Sequence, residues 1–157
     1  MKMLGKILFA TDFSECCLEN GIAFLERIRE VVEEVVVVHV VDEKEITTIV
    51  TNIVWLGETT EEYEEELRKK LREKAENEMR KLKEDLEKRG FKVKTVITEG
   101  HPAEEIVKIA ESEDVSLIVV GSHGKSNLKS VLIGSVSEDV VRRATRPVTV
   151  VRREVSL

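Results

Sequence analysis

Val35-Val36-Val37-Val38-His39-Val40-Val41 holds valine at six of its seven positions. A strand with one face in water alternates apolar and polar residues, whereas a strand covered on both faces reads as one continuous β-branched run. The stretch therefore predicts a central strand of a parallel sheet. Upstream, the apolar run Lys6 to Ala10 is followed by Thr11, Asp12 and Ser14, residue types that cap helices, and then by Leu18, Ile22, Leu25 and Ile28 at helical spacing. That is strand, turn, helix, leading into the valine strand.

Downstream, Asp42 to Gly57 is irregular and carries an apolar patch of Ile46, Ile49, Val50, Ile53, Val54, Trp55 and Leu56. It reads as a long connection or a short helix, with the patch and Trp55 packing on the body or on a partner. A long helix is predicted from near Thr59, where Thr59 and Glu62 have the spacing of a capping box, to a stop at Gly90. Its apolar face is Tyr63, Leu67, Leu71, Ala75, Met79, Leu82 and Leu86. The acidic run Glu61 to Glu66 complements the helix dipole and needs no metal.

A third strand over Lys92 to Thr98 precedes Gly100-His101-Pro102, with proline placed to start a helix through Ile106, Val107 and Ala110. A fourth strand spans Val115 to Val120, a helix runs from about Ser135 to Ala144, and a last strand covers Val148 to Val151. Five strands alternating with four helices require right-handed crossovers. The expected fold is an α/β, open, doubly wound five-stranded parallel sheet of order 3-2-1-4-5, Rossmann-like, with helices on both faces. With no repeat or low-complexity linker, residues 1–157 are expected to form a single domain.

Composition narrows the function. Hydrophobic residues at 41% and charged residues at 36% suit a globular chain, and no apolar stretch is long enough to cross a bilayer. Asp12 cuts short any resemblance of the amino terminus to a signal peptide, so a cytoplasmic location is expected. A net charge of -6 repels a polyanion, which argues against nucleic acid as a general partner. Cys16 and Cys17 are adjacent, matching neither a CxxC pair nor a zinc pattern, and read as small buried residues. The chain lacks glutamine and is rich in Glu, Lys and Arg, a bias shared with hyperthermophile proteins.

Chemistry is expected around Gly121-Ser122-His123-Gly124-Lys125-Ser126 and Gly134-Ser135-Val136-Ser137. Glycines let the backbone approach a phosphate, serines add donors, and the amides of a helix start carry partial positive charge. A Walker A loop would need glycine where Val119 stands, and a dinucleotide fingerprint would need glycines in Ala10-Thr11-Asp12-Phe13-Ser14. Both are excluded. In the order 3-2-1-4-5 the reversal lies between strands one and four, so the Thr11-Asp12 turn and the Gly121 loop would flank one crevice. Read alone, Asp12 caps the first helix. His39 reads as a satisfied core or edge histidine, His101 as part of the turn before Pro102, and Lys125 equally as a solvated residue or a phosphate contact.

At these residues the chain resembles the universal stress protein family, whose ATP-binding members carry Gly-x2-Gly-x9-Gly-Ser or Thr after the fourth strand. Gly121, Gly124, Gly134 and Ser135 fit that spacing, and the likeness extends to KILFATDFSE over Lys6 to Glu15, His39-Val40-Val41-Asp42, Gly100-His101-Pro102 and Arg146-Pro147-Val148. The resemblance implies Ala10, Thr11, Asp12 and Val40 around adenine and ribose, with main-chain contacts from Val40. Gly121, Ser122 and His123 would line the path to the phosphates, and Gly124, Lys125, Ser126, Gly134, Ser135, Val136 and Ser137 would surround the triphosphate. Mg2+ or Mn2+ would ride on the phosphates rather than on protein ligands. The family likeness further implies an ATP-dependent switch or regulator in stress response or signalling, and a homodimer through Val148, Thr149, Val150 and Val151. No catalytic residue stands out, so a slow ATPase is the enzymatic alternative and a scaffold with a vacant site the third.

Overall fold

The valine run forms the middle of β2 (Val32–Asp42), flanked in parallel by β1 (Gly5–Ala10) and β3 (Lys92–Gly100). β1 pairs on its other side with β4 (Leu117–Gly121), which pairs with β5 (Val148–Val151), giving the order β3-β2-β1-β4-β5 with every pairing parallel. This is the expected sheet. The computed structural model describes residues 3–55, 61–122 and 134–152.

Because successive side chains of a strand point to opposite faces, the sheet feeds two cores. Ile7, Phe9, Val35, Val37 and Val119 meet Leu25 of α1 (Glu15–Arg27) and Met79, Leu82 and Leu86 of α3 (Glu61–Lys88). Leu8, Ala10, Val36, Val38, Ile118 and Val120 meet Ala103, Ile106 and Ala110 of α4 (Pro102–Ser112) and Val140 of α5 (Ser135–Arg143). Val35, Val36 and Val37 have no exposed surface. No described helix is long and apolar enough to cross a membrane.

One expectation is corrected. Strict alternation with four helices gives way to two helices between β2 and β3, because α2 (Glu43–Trp55) occupies the irregular segment. Ile46, Ile49, Val50 and Ile53 follow the i, i+3, i+4, i+7 spacing of a helix face, and Ile46 is 1% exposed. Threonine and asparagine between them are weak helix formers and blur the signal. The stop at Gly90 is real: its φ of 96° is one that a side chain would strain. Pro102 opens α4 as expected. The Thr59 capping position lies outside the described residues.

Candidate functional site

At the carboxyl edge of the sheet, β1 and β4 part because their following helices pack on opposite faces. The crevice between them is a cleft of about 280 Å3 lined by Ala10, Thr11, Asp12, Cys17, Val38, His39, Val40, Asp42, Pro102, Ile106, Val120, Gly121, Gly134, Ser135, Val136 and Ser137.

The Asp12 side is a tight turn. Thr11 Oγ1 accepts the Phe13 N–H and Asp12 Oδ1 accepts the Ser14 N–H, both at 2.9 Å. Ser14 stands at the helix-capping position but its side chain makes no capping bond, so Asp12 shapes the turn before α1 rather than capping it. On β2, the Val38 carbonyl accepts the Thr11 N–H at 3.0 Å. Main-chain groups of a strand point alternately to its two neighbours, so Val40 turns its N–H and carbonyl to the same side, beyond the end of β1 and into the cleft.

The opposite wall is the first turn of α5. Gly134 is its N-cap and has no side chain to bond the helix amides, and Ser137 Oγ donates to the Gly134 carbonyl at 3.0 Å. Below it Cys17 forms part of the floor. Burial, followed by the charge of Asp12, pushes the Cys17 thiol up to about 11, so it stays protonated and unreactive at neutral pH. A second, polar cleft of about 380 Å3 adjoins through Asp42, Pro102, Ser135 and Val136 and includes His101 and Asp139. His101 Nε2 lies 3.7 Å from Asp139 Oδ2, and the Arg143 hydrogen bond holds the Asp139 carboxyl below the usual aspartate range.

Of the residues singled out from sequence, Ala10, Thr11, Asp12, Val40, Gly121, Gly134, Ser135, Val136 and Ser137 share this cleft. Ser122 does not line it: the residue is 1% exposed and its N–H donates to the Val151 carbonyl at 2.9 Å. His123, Gly124, Lys125 and Ser126 lie outside the described residues. Sequence reasoning passed over Cys17, Val38, His39, Asp42, Pro102, Ile106 and Val120 as site residues. Pro102 and Ile106, at i and i+4 on the opening turns of a helix, carried a readable signal. Among the described residues no group of three or more His, Cys, Asp or Glu gathers to hold a metal ion.

The profile of the universal stress protein family matches residues 3–152. The chain belongs to the universal stress protein family. Universal stress protein MJ0577 of Methanocaldococcus jannaschii is 46% identical, with 97% of each chain covered. YxiE of Bacillus subtilis is 34% identical over 96% of this chain and all of its own. The solved structure of MJ0577 superimposes with a TM-score of 0.79, covering 98% of this universal stress protein and 99% of that chain.

Proposed function

We propose that this universal stress protein binds ATP in the crevice between β1 and β4 and acts as a nucleotide-dependent regulator of a stress or signalling response. The observation that carries the reading is convergence: the Asp12 turn, the outward main chain of Val40 and the glycine-led start of α5 open on one cleft at the point where strand order reverses. Its volume of about 280 Å3 lies just below the ~300–1,000 Å3 usual for small-ligand pockets.

Val40 offers a donor and an acceptor side by side, which suits the edge of a base, while Asp12 keeps Oδ2 for a nucleoside hydroxyl. The amides of Ser135, Val136 and Ser137 at the α5 start suit phosphate, and Gly124, Lys125 and Ser126 are proposed as further phosphate contacts on their residue types and motif spacing alone. Mg2+ or Mn2+ is assigned to the phosphates. Its role is to neutralise their charge.

Binding rather than turnover is the expected activity. The carboxylates lining the cleft are Asp12 and Asp42, and each already accepts a main-chain N–H two residues on, from Ser14 and Lys44, at 2.9 Å. Neither is placed as a dedicated base for water. The protein is further proposed to form a homodimer through β5.

The test is to denature the purified protein, identify released nucleotide by chromatography and mass spectrometry, then titrate stripped protein with ATP and Mg2+ while following phosphate. ATP bound with negligible turnover supports the regulator. Rapid phosphate release would make the protein an ATPase, and absence of any binding would leave a scaffold.

A further inference from the structure

β1 and β2 stay in parallel register up to Ala10 opposite Val38, and the Thr11 N–H adds one more rung. The rung after that would be the Val40 N–H donating to the Thr11 carbonyl. A side chain takes that place: His39 Nδ1–H donates to the Thr11 carbonyl at 2.8 Å. A carbonyl only accepts, so the proton sits on Nδ1. Thr11 is 6% exposed, which leaves little room for water to serve as the donor instead.

The same imidazole braces the turn. Its ring lies against Phe13, with centroids 4.5 Å apart and planes tilted by 32°. Phe13 has φ 64°, the left-handed region that bulky residues avoid. Such a conformation persists only where its surroundings over-determine it. Here they are the Thr11 and Asp12 side-chain bonds and the His39 ring.

We propose that His39 is a positioning residue of the nucleotide site: by supplying the donor for the Thr11 carbonyl it ends the β1–β2 ladder, leaves the Val40 amide to the ligand, and holds the turn that presents Asp12. This rests on the nucleotide reading above. His39 acts through the main chain on either side of the cleft rather than by gripping the ligand.

Two substitutions separate the donor from the ring. His39→Asn keeps an N–H near the position of Nδ1 without the imidazole, and His39→Phe keeps an aromatic ring against Phe13 without the donor. In ligand-free protein, His39→Phe is expected to slow hydrogen exchange of the Val40 amide about tenfold or more, because that amide closes on the vacated Thr11 carbonyl. General destabilisation would do the reverse. Affinity for Mg2+-ATP in the same variant is expected to fall about tenfold, while His39→Asn stays close to wild type in both measurements. Unchanged or faster Val40 exchange in His39→Phe overturns the proposal, as does an Asn variant as weak as the Phe variant. Should wild-type protein bind no ATP, the nucleotide reading falls, and the exchange measurement alone decides the role of His39.

Discussion

A methyl group added at Gly134 would stand 2.6 Å from the Ser122 carbonyl oxygen, and at Gly121 it would stand 2.9 Å from Cys17 Sγ. The first obstacle is main chain, fixed by the Ser122 N–H bond to Val151; the second is a side chain that yields more readily. Gly134→Ala is therefore expected to destabilise the fold by about 1–3 kcal/mol and to weaken the proposed ATP binding at least tenfold by moving the start of α5, as about 1.4 kcal/mol of lost contact does. Gly121→Ala should cost less, and Cys17→Ala should recover much of that loss in the double variant. Urea unfolding and ATP titration of the four proteins decide it, and Gly134→Ala with wild-type affinity would remove the α5 start from the site. Both glycines were legible in sequence because close approach to a ligand or a neighbouring chain demands them. The role of His39 was not, since it depends on which rung of the ladder is the last.

Charge at the amino edge of the sheet ties elements together. Lys6 of β1 lies 3.2 Å from Glu113, just after α4, and 3.8 Å from Glu34 of β2; Lys92 of β3 reaches Glu34 at 3.4 Å, and Lys94 of β3 also pairs with Glu113. The Lys94 hydrogen bond, with help from Lys6, holds the Glu113 carboxyl below the ordinary glutamate value of 4.5. A depressed carboxylate contributes stability that is present above its unfolded value and lost as pH falls through the folded one. Lys6, raised above 10.5 chiefly by its Glu113 hydrogen bond, has the opposite sign and loses its contribution as pH rises through the raised value. Urea unfolding at about pH 6 and about pH 3.5 should show wild type losing more stability on acidification than Glu113→Gln. Equal losses would mean the network contributes nothing to acid sensitivity. At this scale the sequence was mostly readable, because the strands stand out as short apolar, β-branched runs and α1 and α3 to α5 carry a helical period. α2 blurred because its Thr and Asn residues weaken helix propensity around a sound apolar face. The ion pairs were opaque, since Lys6 and Glu113 are brought together by topology across 107 residues.

The two edges of the sheet are treated differently. β3 carries exposed lysines at positions 92 and 94, which discourage pairing with another strand, whereas β5 reads Val148-Thr149-Val150-Val151 without a charge. The Pro147 and Val151 carbonyls accept the Ile118 and Ser122 N–H groups of the β4 side, each at 2.9 Å. By alternation Thr149 also faces β4, so Val148 and Val150 direct their N–H and carbonyl groups outward. If a second copy pairs there, Val150→Pro deletes a donor that only the partner uses, and proline is tolerated on an edge strand in that orientation. Sedimentation equilibrium should show the dimer dissociating at least tenfold more readily, about 1.4 kcal/mol of lost association, with urea unfolding showing the monomer still folded. Thr149→Pro should behave otherwise: it strikes the β4 ladder and destabilises the monomer itself. A Val150→Pro dimer as tight as wild type would move the interface away from the outward groups of β5, because no rung through that amide could then be holding the copies together.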